Sequence, residues 1–548
     1  MNVAHAVGVA LGRFGVRRSF GVVGSGNFHV TNGLIDAGVD FVATRHEGGA
    51  ATMADSYSRM SGEVSVVSLH QGCGLTNAMT GLGEAAKSRT PLVVVVGEAT
   101  DPASNFHIDQ DALVRSVGAI SIVVRTADSA VSDTRRAYAT ALNERRTVVL
   151  RMPLDVQERT VDSSLLDHLV AVTPLAMPVA AAEDIAAMAA LLVSAERPVF
   201  ICGRGARGDA ARSALIALAE TTGALLAEGA VAKGLFAGEK WSIDVSGGFS
   251  SPTTAALITD ADVVVGWGSA LNNWTTAHGT LIGPSATLIQ VDLEASALGR
   301  HRPIGLGVVG DVAGTAEAVN RHLVAADHHA TGYRTDAVGD EIAARILWRD
   351  HPYDDVGTDD ALDPRTLSIA VDDAIPADRV VGVDSGNFMG YPSMYLGVPD
   401  ERSFSFTQAF QSIGLGLSTA IGAALAQPDR FPVAACGDGG FLMGIAELET
   451  LVRLDIKMLV VVYDDHAYGA EVHFFGPDGY PTDTVTFPDT DIASIARGFG
   501  CDAITVRTRD DLREIADRVS GGLDRPLVVD AKVVGFSSWW HREAMLNH

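Results

Sequence analysis

Short runs rich in Val and Ile recur along this chain, separated by Ala- and Leu-rich stretches of helical character. That alternation predicts parallel sheets covered by helices on both faces. The runs form three groups. The first includes 40-DFVAT-44, 64-VSVVSL-69, 92-LVVVV-96, 121-SIVVR-125 and 147-TVVLR-151, and it fades into the Pro- and Ser-containing stretch 152–182. The second holds 198-PVFIC-202, 262-DVVVG-266 and 287-TLIQVD-292, and it ends before the polar stretch 326-ADHHATGYRTDAVGDE-341. The third holds 380-VVGVD-384, 432-PVAAC-436, 457-KMLVVVY-463 and 526-PLVVDAKV-533. The expected fold is α/β with three domains, at 1–160, 183–325 and 360–540, each an open, mostly parallel sheet with helices on both faces.

Composition narrows the partners. The 548 residues are 47% hydrophobic and 20% charged, ordinary for a globular chain long enough for several domains. A net charge of −26 repels phosphate backbones and anionic lipid head groups, so neither a nucleic acid nor a membrane partner is expected. Cys73, Cys202, Cys436 and Cys501 lie far apart without metal-ligand spacing, which predicts neither a disulfide framework nor a zinc site and favours a reducing cytoplasm. The amino terminus has no basic region ahead of its apolar residues, and the longest apolar runs are strand-sized; no export or anchoring is expected.

Candidate chemistry starts at 437-GDGGFLMG-444, which follows the apolar run 432-PVAAC-436 directly and so places Asp438 at the carboxyl end of a predicted strand. Ligands of parallel sheets collect at such ends, where glycines let backbone N–H groups approach a phosphate. An aspartate binds no phosphate, but it holds a divalent cation that does. A second oxygen ligand is offered by 464-DDHAYG-469, whose Asp465 comes 27 residues after Asp438 at the end of the next predicted strand. A GDG by itself is a common turn; its pairing with a second acidic strand end makes the metal reading specific.

This arrangement resembles the GDG…NN diphosphate and metal motif of thiamin diphosphate enzymes, and the resemblance extends over nearly the whole chain. The stretch 45-RHEGGAATMADSYSRMSG-62 looks like that family's glutamate motif, 70-HQGCGLTN-77 like its GxGxxN turn, 384-DSGNF-388 like its second diphosphate loop, and 411-QSIGLGLSTAIGAAL-425 like the stretch placing a bulky residue beneath the thiazolium. The resemblance implies thiamin diphosphate and Mg²⁺ as cofactors. Glu47 would share a proton with N1′ of the aminopyrimidine, whereas outside this context it reads as an ordinary acid in a helix's first turn. The implied cofactor-binding set is Glu47, Asn77, Gly386, Asn387, Phe388, Ile413, Gly437, Asp438, Gly439, Gly440, Asp465, Ala467, Tyr468 and Gly469, with Asp438, Asp465 and Ala467 on the metal. It also implies a pyrimidine-binding first domain, a diphosphate-binding third domain and a homodimer or homotetramer, because the two domains serving one cofactor come from different subunits.

Two positions depart from the family pattern. The usual Asn-Asn is Asp464-Asp465, which adds negative charge beside an anionic diphosphate, and the usual proline after GxGL is Ser418. A serine suits the start of a helix.

The resemblance implies cleavage or formation of a C–C bond next to a carbonyl, with a 2-oxo acid decarboxylated and carboligation as a second outcome. Ser25, in 20-FGVVGSGNF-28, together with His70 resembles the serine and histidine of benzoylformate decarboxylase. Gln110, in 107-HIDQDALVRSVGAI-120, lies where acetolactate synthases carry an active-site glutamine, so Ser25, His70, Gln110 and Glu47 are the expected catalytic residues. His107 and Asp109 join them as pocket candidates. The stretch 266-GWGSALNNWTT-276 replaces the arginine-bearing segment that acetolactate synthases associate with FAD, which leaves FAD doubtful; Asn272, Asn273 and Trp274 would reach the active site from the middle domain. The aromatic 536-FSSWWHREAML-546 reads as a lid or as a terminal anchor. Acyloin or diketone cleavage, and a non-catalytic regulatory homologue, stand as alternatives; retention of both Glu47 and Asp438 argues against the last.

Overall fold

A computed structural model describes residues 1–167, 169–330 and 332–537. The first sheet comprises β1 (Arg18–Gly21), β2 (Asp40–Ala43), β3 (Ser65–Leu69), β4 (Leu92–Glu98), β5 (Ile120–Val123) and β6 (Thr147–Pro153), in the order β2-β1-β3-β4-β6-β5. The second comprises β7 (Pro198–Cys202), β8 (Leu225–Glu228), β9 (Ser242–Val245), β10 (Val263–Trp267), β11 (Thr287–Asp292) and β12 (Leu306–Val309), in the order β12-β11-β10-β7-β8-β9. The third comprises β13 (Arg379–Val383), β14 (Phe404–Phe406), β15 (Phe431–Gly437), β16 (Leu459–Asp464), β17 (Asp502–Val506) and β18 (Leu527–Lys532), in the order β14-β13-β15-β16-β18-β17. The strand pairings in all three are parallel. Every predicted run except the ends of a few is a strand, and Val-rich β4, β10 and β16 are buried almost throughout, as parallel strands covered on both faces must be.

The first and third sheets share one apolar core, which runs from Phe20, Val67 and Leu82 to Leu417, Ala434 and Val460. Its seam is the helix Glu47–Ser61 packed on the helix Gly416–Ala426. Gly422 makes that approach close, since a Cβ there would fall 2.2 Å from the Met53 carbonyl oxygen. Polar bonds fix the same seam: Ser56 meets Ser405 at 2.9 Å, Arg59 donates to the Phe406 carbonyl at 2.9 Å, and buried Glu84 accepts from the backbone N–H groups of Ala409 and Phe410. The crossover from β15 to β16 contains two short helices, Asp438–Gly444 and Glu447–Arg453, where the 27-residue spacing predicts one. Ser418 falls in the first turn of its helix, as expected. No described helix is long and apolar enough to cross a membrane.

Candidate functional site

The register of the third sheet sets up its acidic cluster. Gly437 pairs with Tyr463, so Asp438 and the Asp464-Asp465 pair leave adjacent strands side by side. Asp438 begins its helix and is buried. Burial, then the charges of Asp464 and Asp465, push its carboxyl up to about 8. Asp465 is pushed up to about 7, first by burial, with the Ala467 backbone N–H opposing and Asp464 adding to the rise. Against an ordinary value near 4, the rise at Asp438 makes its charged form unfavourable by roughly 5 kcal/mol, a cost that a bound cation offsets.

Around this cluster the backbone comes close. A Cβ at Gly439 would lie 2.5 Å from the Tyr468 ring, and one at Gly440 would lie 2.4 Å from Asp384 Oδ2. Gly386 has φ of +128°, which opens the turn into Asn387 and Phe388. Asn387 donates to the Phe536 carbonyl at 3.1 Å, while its buried Oδ1 has no hydrogen-bond partner. Phe388 stacks on Tyr463 at 5.3 Å and lies under Gly437. A Cβ at Gly469 would lie 2.6 Å from Asp465 Oδ2 and 3.3 Å from Asn387 Cβ. Half-buried Ile413 precedes Gly414, whose φ of +92° and N–H bond to Asp384 Oδ2 at 3.0 Å shape the turn.

A second cluster forms at the carboxyl ends of β1, β2, β3 and β4. Glu47 is the first residue of its helix, and its Oε2 accepts from Asn77 Nδ2 at 3.0 Å. Ser25 Oγ lies 3.4 Å from His70 Nε2, and the imidazole meets the Phe106 ring edge-on at 5.0 Å. Gln110 is buried, with its Nε2 donating to the Gly97 carbonyl and its Oε1 accepting from the Gly72 N–H, each at 3.0 Å. Its amide therefore braces the turn after His70 with both ends already used. His107 bonds the Ala99 carbonyl through Nδ1 at 2.9 Å, and Asp109 caps the helix Gln110–Ser116 through the Ala112 N–H at 3.0 Å. Among the described residues, no hydrogen bond or ion pair joins Glu47, Asn77, Ser25, His70 or Gln110 to Asp438, Asp465 or Tyr468.

Family models for thiamine pyrophosphate enzymes match this chain three times: an N-terminal TPP binding domain over residues 1–116, a central domain over 185–319 and a C-terminal TPP binding domain over 384–531. The chain belongs to the thiamine pyrophosphate enzymes. This enzyme is 30% identical to a sulfoacetaldehyde acetyltransferase of Alcaligenes xylosoxydans xylosoxydans, over 83% of this chain and 80% of that one. It is 29% identical to a probable 2-ketoarginine decarboxylase of Pseudomonas aeruginosa, over 95% and 92%. A thiamin diphosphate-dependent 4-hydroxybenzoylformate decarboxylase from Rhodococcus jostii RHA1 has the same fold, with a TM-score of 0.82 over 98% of this chain and 100% of that one at 22% identity.

The residues of the third-sheet cluster fit thiamin diphosphate with a divalent cation. Two carboxylates that resist carrying charge together suit a hard cation with oxygen ligands; glycines and the unpartnered Asn387 Oδ1 line the approach. FAD fits less well. The crevice for a dinucleotide in the second sheet would be the switch point between β7 and β10. There the chain closes on itself: Gly205 N–H donates to the Gly268 carbonyl at 3.0 Å, and a Cβ on Gly203 would fall 2.5 Å from that oxygen. Arg204 and Arg207 instead bond the Ser88 and Arg59 carbonyls of the first domain. Of the middle-domain candidates, Asn272 bonds Thr275, Asn273 accepts from Arg302, and Trp274 packs against the core around Phe388 and Phe406. The 536–546 segment lies outside the described residues from 538 onward.

Some supporting residues were not singled out by the sequence. Asp384 is buried, pushed up to about 6 by burial, and accepts from the N–H groups of Ser385, Gly414 and Leu415. Glu447 accepts from the N–H groups of Arg45 and His46, just ahead of Glu47. Gln71 Oε1 is buried without a hydrogen-bond partner, packed against Gly26 and Gly97. For Asp384 and Glu447 the deciding partners, Gly414 and Leu415 for the one and Arg45 and His46 for the other, lie far away in sequence.

Proposed function

We propose that the enzyme decarboxylates a 2-oxo acid, with carboligation to an aldehyde or second oxo acid as its other outcome. The observation carrying this reading is the Ser25–His70 pair, a hydroxyl and an imidazole 3.4 Å apart at adjacent strand ends beside Glu47. Such a pair suits a substrate carboxylate and the proton movements that follow its loss. When bound, thiamin diphosphate supplies a nucleophilic carbon that adds to a carbonyl and stabilises the charge left as the adjacent C–C bond breaks. Asp438, Asp465 and the Ala467 carbonyl would hold Mg²⁺ at the diphosphate; Gly386, Asn387, Phe388, Gly437, Gly439, Gly440, Tyr468 and Gly469 would cradle it, and Ile413 would support the rings. Glu47 holds a proton at N1′, and Asn77 orients Glu47. His70 moves protons at the substrate, and Gln110 fixes the turn that presents it.

A panel of pyruvate, 2-oxobutyrate, branched 2-oxo acids and benzoylformate tests this reading, with CO₂ and acyloin products measured together. Release of CO₂ from at least one acid is expected. Adding sulfoacetaldehyde brings in the second reading, favoured by the acetyltransferase relatives; consumption of that aldehyde without CO₂ from any acid would replace the first.

The separation of the two clusters supports a site built across a homodimer or homotetramer. So do large apolar side chains left exposed next to them, Phe28 at 54%, Phe410 at 41% and Met443 at 56%, which single chains rarely gather near a site. Sedimentation is expected to give a dimer or larger species, and an active monomer would overturn the shared site. The four cysteines are unpaired, which supports a reducing cytoplasm.

A further inference from the structure

Asp464 stands where relatives are expected to carry asparagine, and its partner explains the change. In the sheet register, Asp464 on β16 pairs with Lys532 on β18. The Lys532 ammonium is buried and donates to Asp464 Oδ2 at 2.5 Å. It also contacts Asp489 Oδ1 at 2.7 Å and Asp530 Oδ1 at 3.1 Å, and it donates to the Thr490 carbonyl at 3.2 Å. By spacing alone, Asp464, His466 and Asp489 could hold a metal ion. Lys532 already contacts two of the three, so the cation of this cluster is supplied by the chain.

Two of the carboxylates that Lys532 gathers, those of Asp464 and Asp489, belong to segments that are themselves paired. Tyr468 N–H donates to the Val485 carbonyl at 2.9 Å, Phe487 N–H donates to the His466 carbonyl at 2.7 Å, and Ala467 bridges Thr486. The Tyr468 and Phe487 rings meet edge-on at 4.9 Å. Asp464 Oδ1 accepts from the His466 N–H at 3.1 Å and lies 2.9 Å from its Nδ1, holding His466 at φ of +57°. Thus 464–469 is anchored at its start by Asp464 and along its length by the segment that Asp489 ties down.

We propose that Lys532 is a positioning residue for the metal site: through Asp464 and Asp489 it clamps the loop that presents the Asp465 carboxylate and the Ala467 carbonyl. The proposal rests on the reading that these two groups are metal ligands. It also accounts for the aspartate at 464, because an asparagine there would leave the buried ammonium short of a carboxylate.

Three variants test it in the apo protein and with cofactor. Asp489→Asn removes the half-exposed arm of the clamp without stranding the ammonium; Lys532→Met removes the clamp itself, alone and together with Asp464→Asn. Hydrogen exchange at the Tyr468 and Phe487 amides of the apo protein is expected to accelerate in Asp489→Asn, and its affinity for thiamin diphosphate at limiting Mg²⁺ to fall about 10- to 100-fold. The double variant should bind more tightly than Lys532→Met alone, because Asp464 then no longer leaves a buried charge without its partner. Unchanged exchange in Asp489→Asn overturns the clamp, even if Lys532→Met does not fold. Accelerated exchange with unchanged cofactor affinity overturns instead the assignment of Asp465 and Ala467 as ligands, and with it the positioning role.

Discussion

Replacing Glu47 with glutamine is expected to leave thiamin diphosphate bound while turnover falls on the order of 10³-fold. Glutamine keeps the length and shape of the side chain, and its amide oxygen can still accept from Asn77 Nδ2, which reaches Glu47 at 3.0 Å. The helix start is held independently by the Glu447 carboxylate on the Arg45 and His46 N–H groups. What the amide cannot do is exchange a proton with N1′. A titration following cofactor binding, beside single-turnover rates, separates the two effects. Turnover near that of the unmodified enzyme would remove Glu47 from the reaction.

Asp438→Ala is expected to abolish thiamin diphosphate binding at millimolar Mg²⁺, since the diphosphate would then face Asp465 without a cation held on both sides. The apo protein should not suffer: burial, then the charges of Asp464 and Asp465, already make the charged form of this carboxyl unfavourable, and removing the group removes that cost. Loss of the cofactor with an unchanged or raised apo Tm is therefore the signature, whereas a lowered apo Tm would indicate a structural role. Asp465→Asn retains an oxygen ligand and is expected to keep or improve binding; complete loss there would place the second ligand elsewhere.

The same carboxyls give the expected pH dependence. The folded apo protein holds the Asp438 proton up to about pH 8, whereas an unfolded chain releases it near 4. This group's contribution to stability is thus present below about pH 4 and is lost as pH rises through 8. Mg²⁺ competes with that proton. The rise in Tm produced by Mg²⁺ with thiamin diphosphate should consequently be larger at pH 8 than at pH 6, and an equal rise at both would contradict ligation by Asp438.

Legibility followed burial. The strands seen in the sequence, such as β4, β10 and β16, are continuous Val-rich runs buried on both faces. Those missed are short or lie at sheet edges: β12, β14 and β17 stand at edges, and β12 and β17 are only partly buried, so selection for apolar residues is weaker there. β8, with sequence LLAE, is fully buried but sits in an Ala-rich stretch that reads as helix. The crossover between β15 and β16 looked like a single helix because spacing counts residues without revealing a break.

The sequence by itself determined the α/β class, the three sheets, and the placement of Asp438 and Asp465 at the ends of two consecutive strands, because periodicity and strand-end glycines are local properties of the chain. Only the tertiary structure decided what each polar group does there. It gave the Gln110 amide to the Gly97 and Gly72 backbone, the Glu447 carboxylate to the start of the Glu47 helix, and Lys532 to Asp464. The physical reason is register: Asp464 and Lys532 are 68 residues apart in sequence and adjacent only because β16 and β18 pair side by side, and no spacing along one chain encodes which strands will be neighbours.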